Sequence, residues 1–154
     1  MSQAPEQPLF NIPFLELPDL AAEKVGGAAL EASDEFFAPK ENLLKPGRGV
    51  FIADKFTDRG KWMDGWESRR RRSPGHDWCV VRLGIPGVLR GLNVDTDHFL
   101  GNFPEYCSLD ASDAPGDAAA GMPGYDWKEI LAKSRLKGGA QNLFPLSDGG
   151  RWTH

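Results

Sequence analysis

The sequence predicts an all-β protein, an antiparallel sandwich of short strands, and three observations carry that expectation. Glycine and proline are plentiful, 18 and 12 among 154 residues, and they are scattered, which suits many turns better than a helical bundle. Between the turns lie short β-branched and aromatic runs, the clearest being Trp78-Cys79-Val80-Val81-Arg82-Leu83 before Gly84. In the next run Val88, Leu92 and Val94 share one parity, as a half-buried strand requires.

A hydrophobic share of 40% over this length is enough for one core and one compact domain. The net charge of −4 argues against a general nucleic-acid binder, which usually presents a strongly basic surface. No apolar run is long enough to span a bilayer, and no basic stretch followed by an apolar one opens the chain. A soluble, cytoplasmic protein is expected, without membrane or nucleic-acid partners. Cys79 and Cys107 have no metal-ligand spacing and are expected to be reduced, buried thiols.

Residues 1–18 form a proline-rich arm, with prolines at 5, 8, 13 and 18, and residues 19–154 form the domain. The aromatics of the arm suggest that its second half lies on the domain. Asp19 can cap a short turn that Gly26-Gly27 ends, after which Ala28 to Ala32 reads as the first strand. Ser33-Asp34-Glu35 is a polar loop, and Lys40 to Leu44 carries a brief helical signal after Pro39. Val50 to Ile52 reads as a short strand. Residues 54–77 are polar and aperiodic, a stretch too long for an ordinary connection, yet Trp62 and Trp66 argue against disorder. Strands are then expected at 78–83, 87–97 and 106–109, followed by a small-residue loop at 110–124. Asp126 with Glu129 resembles a capping box, predicting a short helix with Trp127, Ile130 and Leu131 on one face. Asn142 to Leu146 reads as another strand, and Arg151 to His154 as the opening of a last one.

The block from residue 33 to residue 102 resembles the allantoicase family. The residues that carry this are Ser33-Asp34-Glu35-Phe36-Phe37-Ala38-Pro39 with Glu41-Asn42-Leu43-Leu44, then Gly60-Lys61-Trp62-Met63-Asp64-Gly65-Trp66-Glu67. Arg69-Arg70, Pro74-Gly75-His76-Asp77-Trp78-Cys79 and Val94-Asp95-Thr96 follow, with Phe99 and Gly101-Asn102. The resemblance implies a jelly-roll β-sandwich of the galactose-binding, discoidin-like kind. It implies hydrolysis of allantoate to ureidoglycolate and urea in purine breakdown through allantoin. It also implies two copies of the domain, of which this chain holds the first without its last strand. A second such domain is therefore the expected partner, with a homo-oligomer open, and the isolated fragment is expected to be inactive.

Releasing urea from allantoate requires a grip on the substrate carboxylate, a proton for the departing nitrogen and a base for water. Loop 54–77 contains all three residue types. Arg69 and Arg70 offer rigid guanidinium forks, with Lys61 as a further cation for substrate binding. Glu67, His76 and Asp77 are the candidate catalytic groups. No cofactor motif is present. Two acidic sets, Asp34 with Glu35 and Asp95 and Asp97 with His98, have the ligand chemistry of a divalent metal. A non-catalytic ligand-binding sandwich and an inactive remnant are the competing readings of the same residues.

Overall fold

A computed structural model describes residues 14–117 and 125–154 of the chain. The remainder of the arm, residues 1–13, and the part of the small-residue loop at 118–124 lie outside the described residues. Among the described residues the chain is all-β, with short 3-10 turns at Phe14–Glu16, Glu23–Val25 and Lys40–Leu44.

The strands form antiparallel pairs. Strand β1 (Ala28–Ala32) lies beside β4 (Cys79–Arg82), with a slip in register between Ala29 and Glu31. Strand β5 (Gly91–Asp95) pairs with β8 (Gln141–Pro145), and β6 (Tyr106–Ala111) with β7 (Lys128–Arg135). A small hairpin joins β2 (Phe56–Thr57) to β3 (Gly60–Lys61). In β5 the predicted parity holds: Leu92 and Val94 are half-buried while Asn93 and Asp95 face solvent.

Residues 152–154 join two of these pairs. Trp152 exchanges backbone hydrogen bonds with Gly87 (2.9 and 3.1 Å), and Leu83 N–H donates to the Thr153 carbonyl (2.8 Å). On the other side Ser112 and His154 exchange bonds of 3.0 and 3.1 Å. The segment thus lies between the end of β4 and the end of β6. Its Trp152 packs with Leu83 and Ala111 as a buried cluster, against which Leu20, Ala21, Leu89 and Ile130 are laid. His154 is closed off beside it, with a side chain 2% exposed and Nε2 2.9 Å from Asp117.

Local chemistry explains most element ends. The turn after Asp19 is capped as expected, by the Asp19 carboxylate accepting Ala21 N–H (3.0 Å). Gly26 takes left-handed backbone (φ 102), and a Cβ at Gly27 would run into the Ala21 carbonyl, so both glycines are required. Phe14, from the arm, lies against Gly91. Both cysteines are free and half-buried, and burial pushes the Cys79 thiol up to about 11.

Three expectations are corrected. Lys128–Arg135 is a strand, not the helix that the Asp126/Glu129 spacing predicts. Pairing with β6 overrides the local signal, as tertiary context often does. The register runs Leu109↔Leu131 and then Asp110↔Glu129, leaving Ile130 as an extra residue. Such a bulge turns neighbouring apolar residues to one side and imitates helical spacing. Val50 to Ile52 is exposed and unpaired as a strand, because Val50 N–H goes to the Asp64 carboxylate (2.9 Å). The local hairpin forms instead at β2 and β3. The long 87–97 strand also shortens to Gly91–Asp95, with Gly87 making only the isolated bridge to Trp152.

Candidate functional site

Loops 33–44, 48–77 and 95–102 meet and hold one another through named contacts. Asn42 Nδ2 donates to the Gly65 carbonyl (3.0 Å), and Ala38 and Glu67 form an antiparallel bridge. Trp66 Nε1 donates to the Asp34 carbonyl (2.7 Å). The tryptophan therefore serves as a half-buried plug with its polar atom satisfied.

Loop 95–102 is anchored at two points. At its root, buried Thr96 donates to the Lys137 carbonyl (2.6 Å) and accepts the Ala140 N–H (3.2 Å). Buried Asn142 completes this knot, donating to the Val94 carbonyl and accepting from Lys137 N–H. In its middle, buried Phe99 lies over Gly65, where an added Cβ would sit 2.8 Å from Phe99 Cε2. Gly65→Ala is therefore expected to lift this loop off the Trp62–Glu67 segment, costing on the order of 1–3 kcal/mol as overpacking does. A denaturant melt of the variant measures this, and an unchanged midpoint would show that Phe99 can yield.

The predicted site residues divide into two groups. Arg69 is paired within the chain: Nε and Nη2 reach Asp34 Oδ2 at 2.7 and 2.6 Å. Asp34 Oδ1 also accepts Phe36 and Arg69 N–H, and these bonds, that of Phe36 foremost, hold its carboxyl below the usual range. Asp77 accepts from Ser33 Oγ (2.9 Å) and Ser68 Oγ (3.2 Å), with Arg71 at 3.7 Å. These two residues fasten the loop to the end of β1.

The second group retains reactive capacity. Glu67 Oε1 accepts from Asn102 Nδ2 (2.9 Å), and its other oxygen has no partner among the described residues. Arg70 is exposed without an ionic partner among the described residues, as is Arg72. Lys61 Nζ lies 4.5 Å from the Phe51 ring centre. His76 is exposed beside Gly75, which takes left-handed backbone, and among the described residues nothing fixes its ring.

The acidic sets considered for a metal are neutralised by cations of the chain. Glu35 faces Lys40 (3.3 Å), and Arg48 forks onto Asp95 (2.8 and 3.0 Å) with Asp97 at 3.5 Å. Arg48 holds the Asp95 carboxyl below its ordinary range. Among the described residues no group of three or more metal-ligating side chains converges. Sequence reasoning missed the Arg48 fork and the Glu67–Asn102 bond, whose partners lie 47 and 35 residues apart.

Fold and loops together define an all-β domain whose loops present a carboxylate held at one oxygen and a guanidinium without an ionic partner among the described residues. Comparison with known proteins makes this particular. A family profile described as "Allantoicase repeat" matches residues 18–154. The chain is 45% identical over 150 residues to "Probable allantoicase 1" of Burkholderia mallei, covering 97% of this chain and 43% of that one. It is 44% identical over 137 residues to "Probable allantoicase" of Ralstonia nicotianae, covering 89% and 40%. The crystal structure of allantoicase from Saccharomyces cerevisiae superposes with a TM-score of 0.70 at 32% identity, over 88% of this chain and 37% of that one. The chain belongs to the allantoicase repeat family and spans less than half the length of these relatives.

Proposed function

We propose that the complete protein containing this chain hydrolyses allantoate to ureidoglycolate and urea, and that this repeat is a jelly-roll sandwich of the galactose-binding kind. The observation that carries the reading is Glu67, held at one oxygen by Asn102, in the same loop as Arg70, which has no ionic partner among the described residues. Arg70 and Lys61 hold the substrate carboxylate, the first as a planar fork and the second as a point charge. Glu67 takes a proton from water as its oxygen bonds to the central carbon and the bond from that carbon to the urea nitrogen breaks. Arg69 and Asp77 keep the loop in place. The departing nitrogen needs a proton, and the histidines singled out by sequence in this part of the chain are His76 and His98.

Urea release from allantoate by the purified full-length protein is the test. Arg70→Ala should weaken turnover by the loss of a charge-assisted hydrogen bond, about 1.5–3 kcal/mol, with lysine restoring only part. Arg72→Ala should change little. No urea from the wild-type protein would overturn the assignment and favour a binding module.

A further inference from the structure

The chain has three histidines, and the structure separates them sharply. His154 is enclosed and bonded to Asp117, and His76 stands exposed with nothing to fix its ring among the described residues. His98 differs from both. It sits in left-handed backbone (φ 68), in a turn closed by Phe99 N–H donating to the Thr96 carbonyl (2.9 Å). Residues other than glycine enter this region rarely, with histidine, asparagine and aspartate the commoner ones. Two neighbours flank the ring. The imidazole stacks on Phe51 at 5.6 Å with an interplanar angle of 29°, and Nε2 lies 3.6 Å from the Asp97 carboxylate.

The neighbourhood belongs to the site already described. The Phe51 ring that carries His98 also carries the Lys61 ammonium at 4.5 Å. The same loop supplies Asn102 to Glu67, and Phe99 between them seats the loop on Gly65. One loop therefore bonds the glutamate assigned to water and shares the Phe51 ring with the lysine assigned to the substrate carboxylate. The charged groups facing His98 are Asp97 beside it, Lys61 across Phe51, and Arg48, which bridges Asp97 to Asp95. The side chain is 36% exposed, so a small solute can reach it.

We infer that His98 is a catalytic residue of this site, giving its proton to the nitrogen of the departing urea. The inference rests on the allantoate reading above. As the bond from the central carbon to nitrogen breaks, its electron pair stays on nitrogen and the imidazolium N–H proton moves to it. Glu67 meanwhile holds the proton taken from water, releases it to solvent, and the imidazole regains one from solvent. Asp97 and Phe51 are positioning residues that orient the ring.

The experiment is kcat and KM for urea release by the full-length protein between pH 5 and 9, for wild type, His98→Asn and His98→Gln. Asparagine tolerates left-handed backbone, so the turn survives in that variant. Both variants should lower kcat by about 10²–10⁴-fold, with KM and melting temperature nearly unchanged, and the pH profile should lose a limb that the wild type shows. An active wild type with an equally active His98→Asn and an intact limb would overturn this inference alone. Loss of the limb in His76→Asn, with His98→Asn unaffected, would likewise overturn it. A wild-type protein that releases no urea would sink the allantoate reading, and this inference with it.

Discussion

Glu67→Gln in the full-length protein is expected to lower kcat for urea release by about 10²–10⁴-fold, the usual contribution of a general base. Glutamine keeps an oxygen that can accept from Asn102 Nδ2, so the bond at 2.9 Å and the adjoining bridge to Ala38 should survive. The melting temperature should therefore hardly move while turnover collapses. Paired steady-state kinetics and thermal melts on the same preparations provide the check. A glutamine variant with wild-type turnover would leave Glu67 as a fastener between two loops and nothing more. A variant that loses turnover and stability together would point to the same structural role.

The largest expected effect on stability is that of Trp152→Ala. Trp152 is buried between Leu83 and Ala111 and sits in the segment that joins the β4 and β6 edges. Truncating a buried tryptophan costs about 3–5 kcal/mol through lost burial and the cavity left behind. Whole domains are stable by only about 5–15 kcal/mol, so the variant should be close to unfolding. Its indole Nε1 has no hydrogen-bond partner among the described residues. Phenylalanine, which removes that N–H and retains most of the apolar ring, should be tolerated far better. Guanidinium unfolding of both variants measures the contrast, and an alanine variant within about 1 kcal/mol of wild type would contradict the packing described.

Much of the fold was legible in the sequence because its signals are local. Strands β1, β4, β5, β6 and β8 show as short, partly apolar runs between glycines, prolines and polar loops, with valines in β4 and β5 alone. Strand β7 was not legible, because a bulge opposite Leu109 and Asp110 gave it the spacing of a helix. The hairpin of β2 and β3 was missed because its strands are only two residues each and its apolar content is slight. The site divides in the same way. Lys61, Glu67, Arg69 and Arg70 could be singled out from one contiguous loop. Which of the two arginines is ion-paired depends on Asp34, 35 residues away, and only the folded chain shows it. His98 illustrates the same limit. Its adjacency to Lys61 runs through Phe51, a residue that the sequence assigned to a strand.

The way Trp152 to His154 close the gap between β4 and β6 also bears on the order in which the chain can fold. Hardly any of the pairing is local. Ser33 and Asp77 meet across 44 residues, Val94 and Asn142 across 48, and Ser112 and Thr153 across 41. Each such contact requires a large loop to close before any reward arrives, and chains built this way typically fold in milliseconds to seconds. Until residues 152–154 arrive, the backbone groups of Leu83, Gly87 and Ser112 that they bond have no strand beside them, and Leu83 and Ala111 lack their tryptophan. Unpaired strand edges and bare apolar side chains are the features through which half-folded chains stick to one another. A refolding chain therefore keeps these edges bare until a three-residue keystone is in place.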